Sequence, residues 1–115
     1  MKMIIAVIQP TKLLAVKGAL EAIGVPRITI CDSQEFARYT GRAPIYRGVE
    51  YRADILRKIT LEIAVNDDYL ERAIEVIKNV ARSGAYGSDG DGKVFILPMQ
   101  EAIEFHPEKR GPGAI

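Results

Sequence analysis

The sequence predicts an α+β fold in which an antiparallel sheet carries helices on one face. Three observations lead there. Compact apolar segments at residues 3–8 and 94–97 are closed by Pro10 and Pro98, as buried strands are. Two stretches repeat apolar residues at helical spacing, and two others alternate apolar with polar residues at strand spacing. Their order is strand, helix, strand, strand, helix, strand. That is the split βαβ order of the ferredoxin-like fold.

Each element has its own justification. After the first strand, Thr11 stands where a helix cap belongs, and Leu13, Val16, Leu20 and Ile23 follow a helical repeat. Gly24 and Pro26 stop that helix. Residues 27–31 set Ile28 and Ile30 against Thr29 and Cys31, as a half-buried strand does, with Cys31 expected to be packed. A clearer alternation places Ile59, Leu61, Ile63 and Val65 on one side of Thr60, Glu62 and Ala64. Asp68 and Glu71 resemble a capping box opening a helix with Leu70, Ile74, Ile77 and Ala81 inward. Gly84 falls at its end, and residues 94–97 supply the last core strand.

Length and charge narrow the function classes. The 115 residues are 48% hydrophobic, which suits one domain with a modest core. Sixteen Lys and Arg against fifteen Asp and Glu leave a formal charge of +1, so no global field argues for nucleic acid. No apolar run approaches the roughly 20 residues of a membrane span, and Gln9-Pro10 interrupts any signal-peptide core. One cysteine excludes an internal disulfide framework, and one histidine argues against structural zinc. A single cytoplasmic domain over residues 1–115 is expected.

Two connections are longer than the fold requires. Residues 37–54 separate two strands where a hairpin needs roughly two to five residues. This stretch interleaves Arg38, Arg42, Arg47 and Arg52 with Tyr39, Tyr46 and Tyr51, types enriched at binding hot spots. Residues 83–93 read S-G-A-Y-G-S-D-G-D-G-K. Gly84, Gly87, Gly90 and Gly92 let backbone amides approach an anion, and Lys93 adds a cation. The spacing is neither a Walker loop nor an EF-hand, because Val94 follows the lysine and Lys93 stands where a third calcium ligand belongs. On these residues alone, a phosphate nest and a plain glycine-rich turn fit equally.

Taken together, these segments resemble the PII signal-transduction family over nearly the whole chain. The most specific match is Tyr46-Arg47-Gly48-Val49-Glu50-Tyr51, which follows the family signature Y-[KR]-G-[AS]-[AE]-Y except at Val49. Gly90-Asp91-Gly92-Lys93 matches the family's phosphate-binding B-loop, and Phe36-x-Arg38, Lys58 and Gly113-Ala114-Ile115 agree as well. The resemblance implies a homotrimer that binds ATP or ADP in clefts between subunits. It places Gly87, Gly90, Asp91, Gly92 and Lys93 on the phosphates, Arg38 reaching them from the base of the partner-contacting T-loop, and Thr29 and Ala64 beside the adenine. Arg42, Tyr46, Arg47, Glu50 and Tyr51 fall in that T-loop, residues 37–54, and Tyr51 occupies a position uridylylated in some relatives.

The departures from the family pattern are equally specific. Glu104 and His106, in a C-terminal tail of residues 104–115, stand where relatives carry two phosphate-gripping arginines. At an effective dielectric of about 20, like charges roughly 4 Å apart repel by about 4 kcal/mol. Three consequences are open: weak ATP binding, a preference for ADP or AMP, or compensation by Lys109 and Arg110. Tyr39 replaces a glutamine that helps hold magnesium and 2-oxoglutarate, and a phenol is a poor ligand for a hard cation. Lys58 remains as an effector-site cation, so magnesium and the oxo-acid stay open. Gly111-Pro112-Gly113 reads as a mobile end that closes over the cleft with ligand.

Rival classes fare worse. Acylphosphatase-like catalysis lacks an arginine in Gln9-Pro10-Thr11-Lys12, and no Ser-His-Asp or Cys-His set exists. A trimeric metal-tolerance protein would need a His/Cys cluster. The expectation is a non-enzymatic PII-like regulator, without a metal site, whose adenine nucleotide sets the T-loop's hold on a target. A membrane transporter is favoured over a soluble metabolic enzyme, with the protein recruited to the inner face of the membrane. The alternative is a standard nitrogen regulator answering ATP, ADP and 2-oxoglutarate and controlling an ammonium transporter or a nitrogen-metabolism enzyme.

Overall fold

The computed structural model describes residues 1–36, 45–46, 49–50 and 55–115, with Ile45, Tyr46, Val49 and Glu50 described through their backbone alone. Strand β1 (Lys2–Ile8) leads through a short 3-10 turn at Pro10–Lys12 into helix α1 (Leu13–Ala22). Strand β2 (Thr29–Phe36), the short strands β3 (Ile45–Tyr46) and β4 (Val49–Glu50), and the long strand β5 (Ile55–Val65) follow. Helix α2 (Asp67–Ala81), strand β6 (Gly92–Pro98) and a small hairpin of β7 (Ile103–Phe105) with β8 (Glu108–Arg110) complete the order. The main sheet runs β2-β5-β1-β6, every neighbouring pair antiparallel. This is the ferredoxin-like arrangement expected.

The alternation in β5 decides where the core lies. Ile59, Leu61, Ile63 and Val65 point to the helices and are at most 4% exposed. Ile4, Ala6 and Ile8 of β1 lie beside them in register, and Val16, Leu20, Ala73, Ile77 and Ala81 cover them from the helices. The opposite sheet face carries Lys58, Thr60, Glu62 and Ala64 of β5 beside Met3, Ile5 and Val7 of β1. Among the described residues no helix covers that face, and Phe95 and Leu97 remain exposed on it.

Several local expectations are corrected. Strand β2 begins at Thr29 and runs on to Phe36, because β5 supplies a full ladder even to the polar Asp32-Ser33-Gln34-Glu35. Cys31 is exposed on this edge strand rather than packed. Thr11 falls within the 3-10 turn, and Lys12 precedes α1 without a side-chain cap. Asn66, rather than Asp68, stands at the N-cap of α2, placing Asp67 and Asp68 in a first turn whose dipole favours them. Asp67 accepts hydrogen bonds from the Met1 ammonium and Lys2 Nζ, at 2.9 and 3.0 Å, which hold its carboxyl below the ordinary value. Residues 111–114 form a 3-10 turn, tied by the Gly111 N–H to the Ala102 carbonyl.

Candidate functional site

The loop between α2 and β6 is built around Asp91. Its carboxylate accepts from the Ser83 amide at 2.9 Å and the Ser83 hydroxyl at 2.6 Å. It also accepts from the Ser88 amide at 2.8 Å and the Ser88 hydroxyl at 3.1 Å. Gln9 Nε2, at the end of β1, adds a fifth donor at 3.2 Å. The Ser83 amide and hydroxyl and then the Ser88 donors hold the Asp91 carboxyl far below the usual carboxylate range. The loop thus carries its own anion as an organising centre.

Two consequences follow for phosphate. The Ser83 and Ser88 amides are occupied by Asp91, and the Asp91 amide is taken by the Ser88 carbonyl at 3.3 Å. Asp91 therefore organises the loop through its side chain. Gly92 must lack a side chain: at φ 130° its Cβ would lie 1.9 Å from the Val7 carbonyl oxygen.

Lys58 lies on the otherwise open face of β5, yet is only 4% exposed, because the loop covers it. Its ammonium donates to the Gly90 carbonyl. Among the described residues, neither Lys58 nor Lys93 has an ion-pair partner. Both line a pocket of about 590 Å³ together with Ser33, Phe36, Gly90 and Gly92. The Ser33 and Thr60 hydroxyls hydrogen-bond at 2.9 Å along its floor. Two cations with one lining carboxylate, Glu35, suit an anionic guest.

Thr29 and Ala64 line a second pocket, of about 490 Å³, further along the same face. Thr29 pairs with Glu62, two residues from Ala64, and Ala64 lies six positions along β5 from Lys58. At ~3.4 Å per residue Lys58 and Ala64 are therefore roughly 20 Å apart, while Thr60 of the first pocket and Glu62 of the second are only about 7 Å apart, so the two pockets adjoin. Gly87 sits in the loop without lining either pocket. His106 lies exposed between β7 and β8, also outside both pockets, and Glu104 pairs in register with Lys109. Arg38, Tyr39, Arg42, Arg47 and Tyr51 lie outside the described residues, as do the side chains of Tyr46 and Glu50. Sequence reasoning missed Gln9, Ser83, Ser88 and Ile115. Gln9 carries no local signal, and the two serines look like ordinary loop residues until Asp91 joins them.

Among the described residues, no cluster of His, Cys, Asp or Glu is arranged to hold a metal, and no helix is long and apolar enough to cross a membrane. Fold and site together define a small ferredoxin-like protein with an anion-suited pocket under a glycine-rich loop. The family model described as nitrogen regulatory protein P-II matches residues 1–109. Nitrogen regulatory protein GlnK1 of Methanosarcina mazei is 45% identical, covering 100% of this chain and 97% of the relative. Nitrogen regulatory protein P-II of Bradyrhizobium diazoefficiens is 43% identical over the full length of both chains. GlnK of Escherichia coli is 33% identical, again over both chains entire. The chain belongs to the nitrogen regulatory protein P-II family, whose members are signal-transduction regulators rather than enzymes.

Proposed function

We propose that this protein is a homotrimeric cytoplasmic regulator that binds an adenine nucleotide at its subunit interfaces and controls a target through residues 37–54. The observation that carries this reading is the pairing of Lys58 and Lys93 around the pocket beneath the Asp91-centred loop. A buried ammonium whose described partner is a carbonyl retains a charge that an anionic ligand can neutralise. The phosphates meet Lys93 and the backbone of Gly90 and Gly92, and the base meets Thr29 and Ala64 in the cleft between subunits. ATP, ADP and AMP are the candidate ligands, and Glu104 favours fewer phosphates.

Trimer formation is supported by the uncovered sheet face, where Phe95 is 50% and Leu97 42% exposed. Ligand contacts that differ between two loop states would then set the hold on the partner. A membrane transporter is the preferred partner, bringing the protein to the inner membrane face, with a soluble metabolic enzyme as the competing case. Tyr51 is available as a modification position.

One observation favours a second reading, that of a nitrogen regulator responding to 2-oxoglutarate: Lys58 offers a carboxylate-suited cation inside the same pocket. Calorimetric titration with ATP, with and without 2-oxoglutarate and magnesium, separates the two. Nucleotide binding that 2-oxoglutarate leaves unchanged supports the first reading, and affinity raised by 2-oxoglutarate establishes the second. Capture of a partner from solubilised membranes rather than cytosol supports the transporter.

A further inference from the structure

The Gly90 carbonyl stands between two donors. Lys58, buried on β5, holds it through Nζ. Gln9 Nε2 lies 3.5 Å from the same oxygen and 3.2 Å from Asp91 Oδ1. A carboxamide nitrogen carries two hydrogens, so Gln9 serves Asp91 with one and keeps the other for Gly90. At 3.5 Å that second contact is longer than the roughly 2.7–3.2 Å of a full N–H···O bond. Gln9 is a reserve donor for a carbonyl that Lys58 already occupies.

The surrounding space gives an exchange of donors its direction. Lys58 and Gly90 line the pocket of about 590 Å³ and also a further one of about 350 Å³. Lys93 lines the first of these two and not the other, whereas Gln9 lines the other with Pro10, Thr11 and Leu56. The contact between Lys58 and Gly90 is the wall that the two spaces share. Gly90 has a φ of 86°, a region open to glycine, so its carbonyl turns from one space to the other without a side chain in the way. The Asp91 N–H of the same peptide group makes only a long bond, 3.3 Å, to the Ser88 carbonyl.

Charge decides what displaces the carbonyl. A neutral acceptor leaves the charge of a buried ammonium uncompensated, whereas a phosphate or carboxylate oxygen compensates it. We propose that the Gly90 carbonyl is a built-in occupant of Lys58, that an anionic guest displaces it, and that Gln9 then receives it. This rests on the nucleotide reading above and adds how the loop registers that the pocket is filled. Gln9 is a positioning residue: it acts on the guest through Gly90, and its hold on Asp91 ties the loop to the end of β1. The empty and filled states differ in the partner of Lys58, which supplies the differential contact that a ligand-driven shift requires.

The test follows the Gly90 carbonyl carbon and the Gln9 side-chain amide by nuclear magnetic resonance while the intact chain is titrated with ATP and with inorganic tripolyphosphate. Both probes are expected to shift both resonances. Lys58→Met is expected to shift the two resonances in the same direction with no guest added. Gln9→Met, which keeps the side chain's length and removes its donor, is expected to weaken both probes about fivefold, because the displaced carbonyl then has no donor waiting. Resonances that stay fixed while ATP binds, or equal affinity in Gln9→Met and the parent, overturn the exchange and leave the nucleotide reading intact. If tripolyphosphate binds and ATP does not, the nucleotide reading falls while the same two resonances still decide the exchange. Failure of both probes to bind overturns the nucleotide reading and this inference with it.

Discussion

Asp91 turns a run of glycines into a defined loop. Five donors from Ser83, Ser88 and Gln9 converge on its carboxylate, so the charged form is favoured in the folded protein. A depressed carboxylate pKa contributes stability that is complete above the ordinary value of 3.8 and is lost as pH falls below it. Amide exchange at Ser83 and Ser88, corrected for intrinsic rate, is accordingly expected to accelerate as pH drops through that window. Asp91→Asn should remove the pH dependence and raise exchange at neutral pH; a flat profile in the parent chain would contradict the assignment. Gly92→Ala places a methyl group on the Val7 carbonyl and forces a positive φ, an expected loss of about 2 kcal/mol or more by chemical denaturation. The glycine pattern and Lys93 were legible as sequence. The knot was not, because its donors lie three, eight and eighty-two residues from Asp91. Nor was the burial of Lys58, which depends on a distant loop folding over an open sheet face.

At the level of elements, β5 is the organiser. It pairs with both β1 and β2, buries Ile59, Leu61, Ile63 and Val65 under the helices, and presents Lys58, Thr60, Glu62 and Ala64 to the site face. Leu61 is fully buried at its centre, so Leu61→Ala is expected to cost about 2–5 kcal/mol in urea unfolding. A smaller loss, under about 1 kcal/mol, would mean that the helices do not close over this strand as described. The strand's period of two was clear in the sequence because its apolar residues alternate without interruption. The extension of β2 from Asp32 to Glu35 was hidden, since it comes from laddering with Ile59, Lys58, Arg57 and Leu56 rather than from side-chain pattern. The hairpin of β7 and β8 escaped for a similar reason: three-residue strands are too short to display a period.

For the whole molecule, the ferredoxin-like order and P-II membership were both readable, the first from periodicity and the second from the stretch at residues 46–51 and the loop at residues 90–93. Subunit arrangement leaves a weaker trace, because an apolar residue on an open sheet face has the same sequence pattern as one in the core. Phe95→Glu together with Leu97→Glu, both on the uncovered face, is expected to convert the proposed trimer to monomer in sedimentation experiments while far-ultraviolet circular dichroism is retained. A parent chain that sediments as a monomer would contradict the trimer directly. On the proposed nucleotide reading, Glu104 and His106, which stand where the family resemblance places two arginines, leave phosphate binding to Lys93 and the loop backbone. The most direct measurement is therefore calorimetric titration of ATP, ADP and AMP into the intact protein and into Lys93→Ala. The account expects the intact protein to bind at least one of the three nucleotides, and Lys93→Ala to weaken that binding about tenfold or more. Absence of binding by all three, or equal affinity in parent and variant, would contradict it.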